Sequence, residues 1–118
     1  MLTGVAGDRA AAVCEKLAEK DNGMVKISLS HAIFKYEALL SFDREKYAPL
    51  IVREIEDRYL GMLCRGATSF WETDLGAEDF GRAGSLSHGW SAVPVYIFQW
   101  LGLCDASPRQ NKEVDLGK

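Results

Sequence analysis

Apolar residues return at three- and four-residue intervals along most of this chain, the period of a helix with one face turned inward. Ala10, Val13, Cys14 and Leu17 share such a face. They predict a first helix over residues 8–20, capped by Asp8 and stopped by Asn22-Gly23, which tolerate the left-handed conformation of a C-terminal cap. After an extended piece from Met24 to Ile27, Ser28 or Ser30 opens a second helix to about Leu40. Leu29, Ile33, Tyr36 and Leu40 make its stripe, and Phe34, Ala38 and Leu39 widen it, so this helix is expected to be covered on more than one side. Asp43 begins a third helical region. Pro49 has no backbone N–H, so the pattern predicts a short turn over 44–47 and a main helix from Pro49 to the stop at Gly66. Ile51, Ile55 and Leu63 are expected to face inward, with Tyr59 and Met62 beside them.

At Gly66 the period stops. Gly66-Ala67-Thr68-Ser69-Phe70-Trp71-Glu72-Thr73-Asp74 has no helical repeat, and Gly76, Gly81 and Gly84 prolong the irregular stretch around one helical turn at 77–80. Such a long loop among helices is usually functional or mobile. A last helix is expected from Ser85 or Ser87 to about Leu103, with Leu86, Trp90, Val93, Ile97 and Trp100 or Leu101 on its apolar face; Pro94 must kink it or reset its start. Residues 104–118 are polar, contain Pro108, and read as a disordered tail. The order of helix and turn over residues 1–103 predicts an all-α fold of stacked helical hairpins.

Composition narrows the function classes. The chain has 118 residues, 47% apolar and 26% charged, with a formal net charge of −3: one ordinary globular domain, with no electrostatic case for nucleic acid or an anionic membrane. Basic and acidic residues alternate, as in Arg53-Glu54-Ile55-Glu56-Asp57-Arg58, which reads as a solvated helix face. No run is apolar long enough to span a bilayer. Met1-Leu2-Thr3-Gly4 lacks the basic start of a signal peptide. Cys14, Cys64 and Cys104 form neither a disulfide framework nor a Cys-x-x-Cys pair and are expected to be buried free thiols, which favours a reducing compartment, the cytoplasm. Two distant histidines make a zinc site improbable. No metal and no cofactor is expected.

Candidate chemistry concentrates in the loop. Trp71 and Glu72 are adjacent: an indole offers a flat face to the C–H side of a sugar, and a carboxylate accepts from its hydroxyls. A carboxylate beside a hydrophobic ring also loses solvation and becomes a stronger base. The alternative is a core-plugging Trp71 with an exposed Glu72. Ser87-His88-Gly89-Trp90 forms a second group, where a histidine at a helix start can address a ligand or be satisfied by a backbone carbonyl. His31 reads as structural. Glu72, Asp74, Glu78 and Asp79 fall in one loop, as two carboxylates flanking a glycosidic bond would. Neither an EF-hand, a Gly-Lys-Ser/Thr phosphate loop nor a Gly-x-Ser-x-Gly elbow is present.

The order of these pieces resembles the end of the catalytic domain in family 78 glycoside hydrolases, the α-L-rhamnosidases among the six-hairpin glycosidases. The likeness rests on Gly66-Ala67-Thr68-Ser69-Phe70-Trp71-Glu72, then a glycine-rich acidic loop. Ser85-Leu86-Ser87-His88-Gly89-Trp90-Ser91-Ala92 follows, leading to Trp100-Leu101-Gly102-Leu103. It is clearest from Gly66 to Leu103. The resemblance implies a partial (α/α)6 six-hairpin barrel and an inverting hydrolysis of a rhamnoside-like carbohydrate. Glu72 is then the general base, Trp71 and His88 contact the sugar, and Phe70, Asp74 and Trp90 are wall residues. The family's general acid lies in an earlier acid-rich segment that nothing here matches. The chain is therefore expected to hold only the base side of a site, as a fragment inactive alone, and its unpartnered helix faces could pair as a homo-oligomer. The alternative is a small non-catalytic helical binding or self-associating module.

Overall fold

A computed structural model describes residues 4–104; the predicted polar tail, apart from Cys104, lies outside the described residues. Among them the regular structure is entirely helical. A 3-10 turn at Gly7–Arg9 leads into α1 (Ala10–Ala18), followed by α2 (Ala32–Phe42), α3 (Arg44–Cys64) and α4 (Val93–Leu101), with further 3-10 turns at Gly76–Glu78 and Gly89–Ser91. The all-α expectation holds. Helix α2 touches each of the other three and α3 also touches α4.

The first helix is shorter than its apolar pattern suggested. Asp8 sits inside the 3-10 turn and caps nothing; the Ala10 N–H is satisfied by the Gly7 carbonyl. The other end stops when Glu19 turns extended, before Asn22-Gly23. Helix α2 also starts late. Ser28 Oγ sits 2.8 Å from His31 Nδ1 and accepts from the His31 backbone N–H at 3.4 Å, so the serine chosen as a helix start holds the turn before it. Asp43 alone turns the chain from α2 to α3. Its N–H donates to the Leu39 carbonyl at 3.0 Å, and its Oδ1 accepts from the Lys46 N–H at 3.0 Å as the cap of α3.

Helix α3 runs unbroken through Pro49, where a turn and restart were expected. The proline stands in the second turn, removing a single N–H near the end of the helix, and Tyr47 and Ile51 on either side are buried. In the last helix Pro94 resets the start. The 3-10 turn at Gly89–Ser91 replaces the expected early helical turns, and Pro94 occupies the first turn of α4, where no intrahelical donor is needed. Gly102 closes α4 in the left-handed region, and the Leu103 N–H returns to the Phe98 carbonyl at 2.8 Å.

The core joins Cys14 of α1, Tyr36, Leu39 and Leu40 of α2, Ile51, Ile55, Tyr59 and Met62 of α3, and Val93 and Ile97 of α4, with Leu29 and Trp71 from the loops. Four residues expected on buried faces are exposed. Leu63 and Phe34 are exposed, because Tyr59 and Met62 take the inward positions of α3 and Tyr36, Leu39 and Leu40 those of α2. Leu86 and Trp90 precede α4 and lie outside its buried face. All three cysteines are free, but only Cys14 is buried; Cys64 and Cys104 are exposed.

Candidate functional site

Residues 70–72 lie between two other stretches of backbone and are bonded to both. The His88 N–H donates to the Phe70 carbonyl at 2.7 Å, and the Glu72 N–H donates to the Ser85 carbonyl at 2.9 Å, so the stretches 70–72 and 85–88 pair antiparallel. On the other side the Leu29 N–H donates to the Glu72 carbonyl at 3.2 Å. This pairing brings Phe70, Trp71, Glu72 and His88 into one neighbourhood although they lie in a stretch with no helical period. The Ser69 hydroxyl adds a bond to the Leu86 carbonyl.

Glu72 is half-buried. Its Oε2 accepts from the Ser85 backbone N–H at 3.3 Å, while Oε1 has no hydrogen-bond partner among the described residues. One oxygen is thus anchored and the other is open to a water or a hydroxyl. His88 is also half-buried, and its ring meets Trp90 edge-on at 6.3 Å between centroids. Phe70 packs edge-on against Tyr59 at 6.0 Å, tying the segment to α3.

The structure places Trp71 in the core, not on an open surface. It is 9% exposed. The Arg65 guanidinium lies over its ring at 4.8 Å from the centroid, and Gly76 packs so closely that a Cβ there would come within 2.6 Å of Trp71 Cε3. The indole fixes the base of the loop and offers no broad free face. Asp74 is equally occupied. Arg58 of α3 grips it with two donors, Nε to Oδ1 at 2.9 Å and Nη2 to Oδ2 at 3.2 Å, and Lys26 closes a further ion pair. Burial alone would raise the Asp74 carboxyl; the hydrogen bonds and charges of Arg58 and Lys26 outweigh it and hold the group below its ordinary value. Asp74 is a structural anchor here, not an open wall residue. Trp90 is 83% exposed and stands at the rim of an open groove of about 400 Å³ between α2 and α4.

Sequence reasoning missed two features. One is the network around Arg58. It also donates to the Ile27 carbonyl at 3.0 Å and lies 3.9 Å from Glu54, which accepts from Lys35 at 2.7 Å and from the Tyr36 hydroxyl at 3.1 Å. The mixed-sign run of α3 is a solvated face at Arg53, Glu56 and Asp57, whereas Glu54 and Arg58 turn toward α2 and the loop. The signal that could have found them is their spacing of four, one turn of helix, in phase with the inward Ile55. The other is the groove itself, which joins residues far apart in the chain.

Among the described residues no group of three or more His, Cys, Asp or Glu side chains is placed to hold a metal ion, and no helix is long and apolar enough to cross a membrane. No protein-family model, curated protein or solved structure matches the chain.

Proposed function

We propose that this chain carries the general-base side of an inverting glycoside hydrolase site of the α-L-rhamnosidase type, within hairpins of a six-hairpin barrel. The observation that carries the reading is the state of Glu72: a half-buried carboxylate with one oxygen held by the Ser85 N–H and the other unpartnered among the described residues, in a loop segment whose Phe70 carbonyl accepts from the His88 N–H. A general base needs a fixed position and a free lone pair within reach of the water it activates. In this reading Glu72 takes the proton, and His88 hydrogen-bonds sugar hydroxyls. Trp71 positions the base from below rather than stacking on the ring. Asp74 is committed to Arg58 and Lys26 and cannot serve as the acid. Inversion places acid and base about 6.5–9.5 Å apart across the ring, so the acid belongs to helices that face this surface.

Hydrolysis of an aryl α-L-rhamnoside tests this directly. The chain alone is expected to show no turnover. In a complete enzyme containing this segment, Glu72→Gln should lower the rate about 10²–10⁴-fold, Glu78→Gln should leave it unchanged, and proton NMR of the nascent product should show the inverted anomer. Near-normal turnover by Glu72→Gln would remove the assignment.

A non-catalytic helical module is the second reading. The large apolar side chains left in solvent on α2 and α4, Phe34, Val95, Tyr96 and Trp100, favour it.

A further inference from the structure

Helix α4 has no charged residue anywhere from Val93 to Leu101. A helix that meets the core on one side and water on the other normally carries charge on its outer face; one that is apolar all round is covered on both sides. Here Val93 and Ile97 fill the core, while Val95, Tyr96 and Trp100 stand exposed on the outside. Next to them lies the groove of about 400 Å³, lined by Ile33, Glu37, Gly89, Trp90, Val93 and Tyr96.

The size of this surface can be compared with what a dimer needs. Trp90 and Tyr96 line the groove together and the Trp100 ring lies 5.9 Å from that of Tyr96; the three are 83%, 48% and 37% exposed. At roughly 150–250 Å² for each aromatic side chain, they leave on the order of 250–400 Å² of aromatic surface in water. A standard interface buries about 800 Å² per partner, of which about 65% is apolar in homodimers, or roughly 500 Å². The exposed aromatics thus supply about half or more of the apolar area on one side of such an interface.

The surface also suits itself. An isologous contact brings each residue of the patch against the patch of the partner, so a charged strip would repel its own copy. The only charged side chain in the groove lining is Glu37, and its carboxylate accepts from the Tyr96 hydroxyl at 3.1 Å. Trp90 projects beside the groove and could fill its counterpart in a second molecule, while its own groove receives the indole in return.

We infer that the α2–α4 face is a homodimer interface, in which the Trp90 side chain of each copy seats in the groove of the other between Ile33, Val93 and Tyr96. This goes beyond the hydrolase reading and does not depend on Glu72.

Sedimentation equilibrium of the full chain from about 1 to 200 μM tests it. A monomer–dimer equilibrium is expected. Trp90→Ser should raise the dissociation constant at least tenfold, with helicity by circular dichroism unchanged because Trp90 makes little core contact. Leu60→Ser, at another exposed apolar position on α3, should leave the constant where it was. A monomer throughout the range, open-ended aggregation in place of a dimer, or a dimer indifferent to Trp90→Ser would each overturn the inference. So would dissociation of the dimer by L-rhamnose, with the Trp90 signal shifting, which would assign the groove to a sugar.

Discussion

At the residue scale, the loop that holds Glu72 depends on two glycines pressed together. A Cβ on Gly84 would lie 1.9 Å from the Gly76 carbonyl oxygen, a backbone atom that cannot swing away, and Gly76 itself has φ +60° with Trp71 against it. Gly81 has φ +68° but open space around it. Gly81→Ala should therefore cost only the left-handed penalty, about 1–2 kcal/mol. Gly84→Ala and Gly76→Ala should cost more, because overpacking costs about 1–3 kcal/mol in its own right. Urea unfolding of the three variants gives the order; equal losses would mean the loop relaxes freely. Asp74 makes a second prediction. Its folded carboxyl titrates below its ordinary value because of Arg58 and Lys26. The stabilisation is therefore present above the unfolded value near 4 and is lost as pH falls through the lower folded value. Asp74→Asn should destabilise the protein by on the order of 3 kcal/mol at pH 7, since it leaves the largely buried Arg58 without its main partner. The gap from wild type should narrow below pH 4. A gap independent of pH would mean the carboxylate charge contributes nothing.

At the scale of elements, α3 contains a proline in the path of its hydrogen bonds and a cap that makes up part of the loss. Replacing Pro49 by Ala restores an N–H that can reach the Glu45 carbonyl, at an exposed position where no packing is disturbed. Up to about 3 kcal/mol of added stability is expected, less the entropy that proline removes from the unfolded chain. Asp43→Ala should go the other way by about 0.5–2 kcal/mol, through loss of the cap on Lys46 N–H. Thermal midpoints of the two variants that fail to move in opposite directions would show that the junction of α2 and α3 is held by something else. The same helix marks how far the fold can be read from its sequence. The apolar period located all four helices and most of their inward residues, because burial of one face is a property of each segment by itself. Starts and stops were less legible: they turn on local bonds such as Ser28 to His31, or on the 3-10 turn at Gly89–Ser91, which several nearby residues could have made. The loop was least legible. Adjacency of Trp71 and Glu72 marked the segment as unusual, but Trp71 is buried by Arg65 and Gly76, and Asp74 is held by a side chain of α3. Those contacts join positions whose separation carries no period.

On the scale of the whole molecule, two tyrosines tie the helices across the core. The Tyr36 hydroxyl of α2 donates to Glu54 of α3, and the Tyr59 hydroxyl of α3 donates to the Ser91 carbonyl just before α4 at 2.5 Å. Both side chains are buried. Desolvation is the first cause of their raised values: Tyr59 is pushed up to about 12, and Tyr36, which also faces the Glu54 carboxylate, goes higher still. In an unfolded chain both phenols ionise near pH 10. Below that pH both states hold the protons and the stability contribution is complete. Above it the unfolded chain releases protons that the folded chain keeps, so stability falls with rising pH, by on the order of 1.4 kcal/mol per unit for each phenol. For Tyr59 the fall should level off near pH 12, and for Tyr36 it should continue beyond. Urea unfolding from pH 8 to 12 should therefore show a steep alkaline decline in the wild type. The double variant Tyr36→Phe with Tyr59→Phe should be about 1–3 kcal/mol less stable at pH 8, from two lost hydrogen bonds, yet decline more gently and approach the wild type by pH 12. A wild-type curve as shallow as that of the variant would mean the phenols reach water and that the four helices are not closed around them.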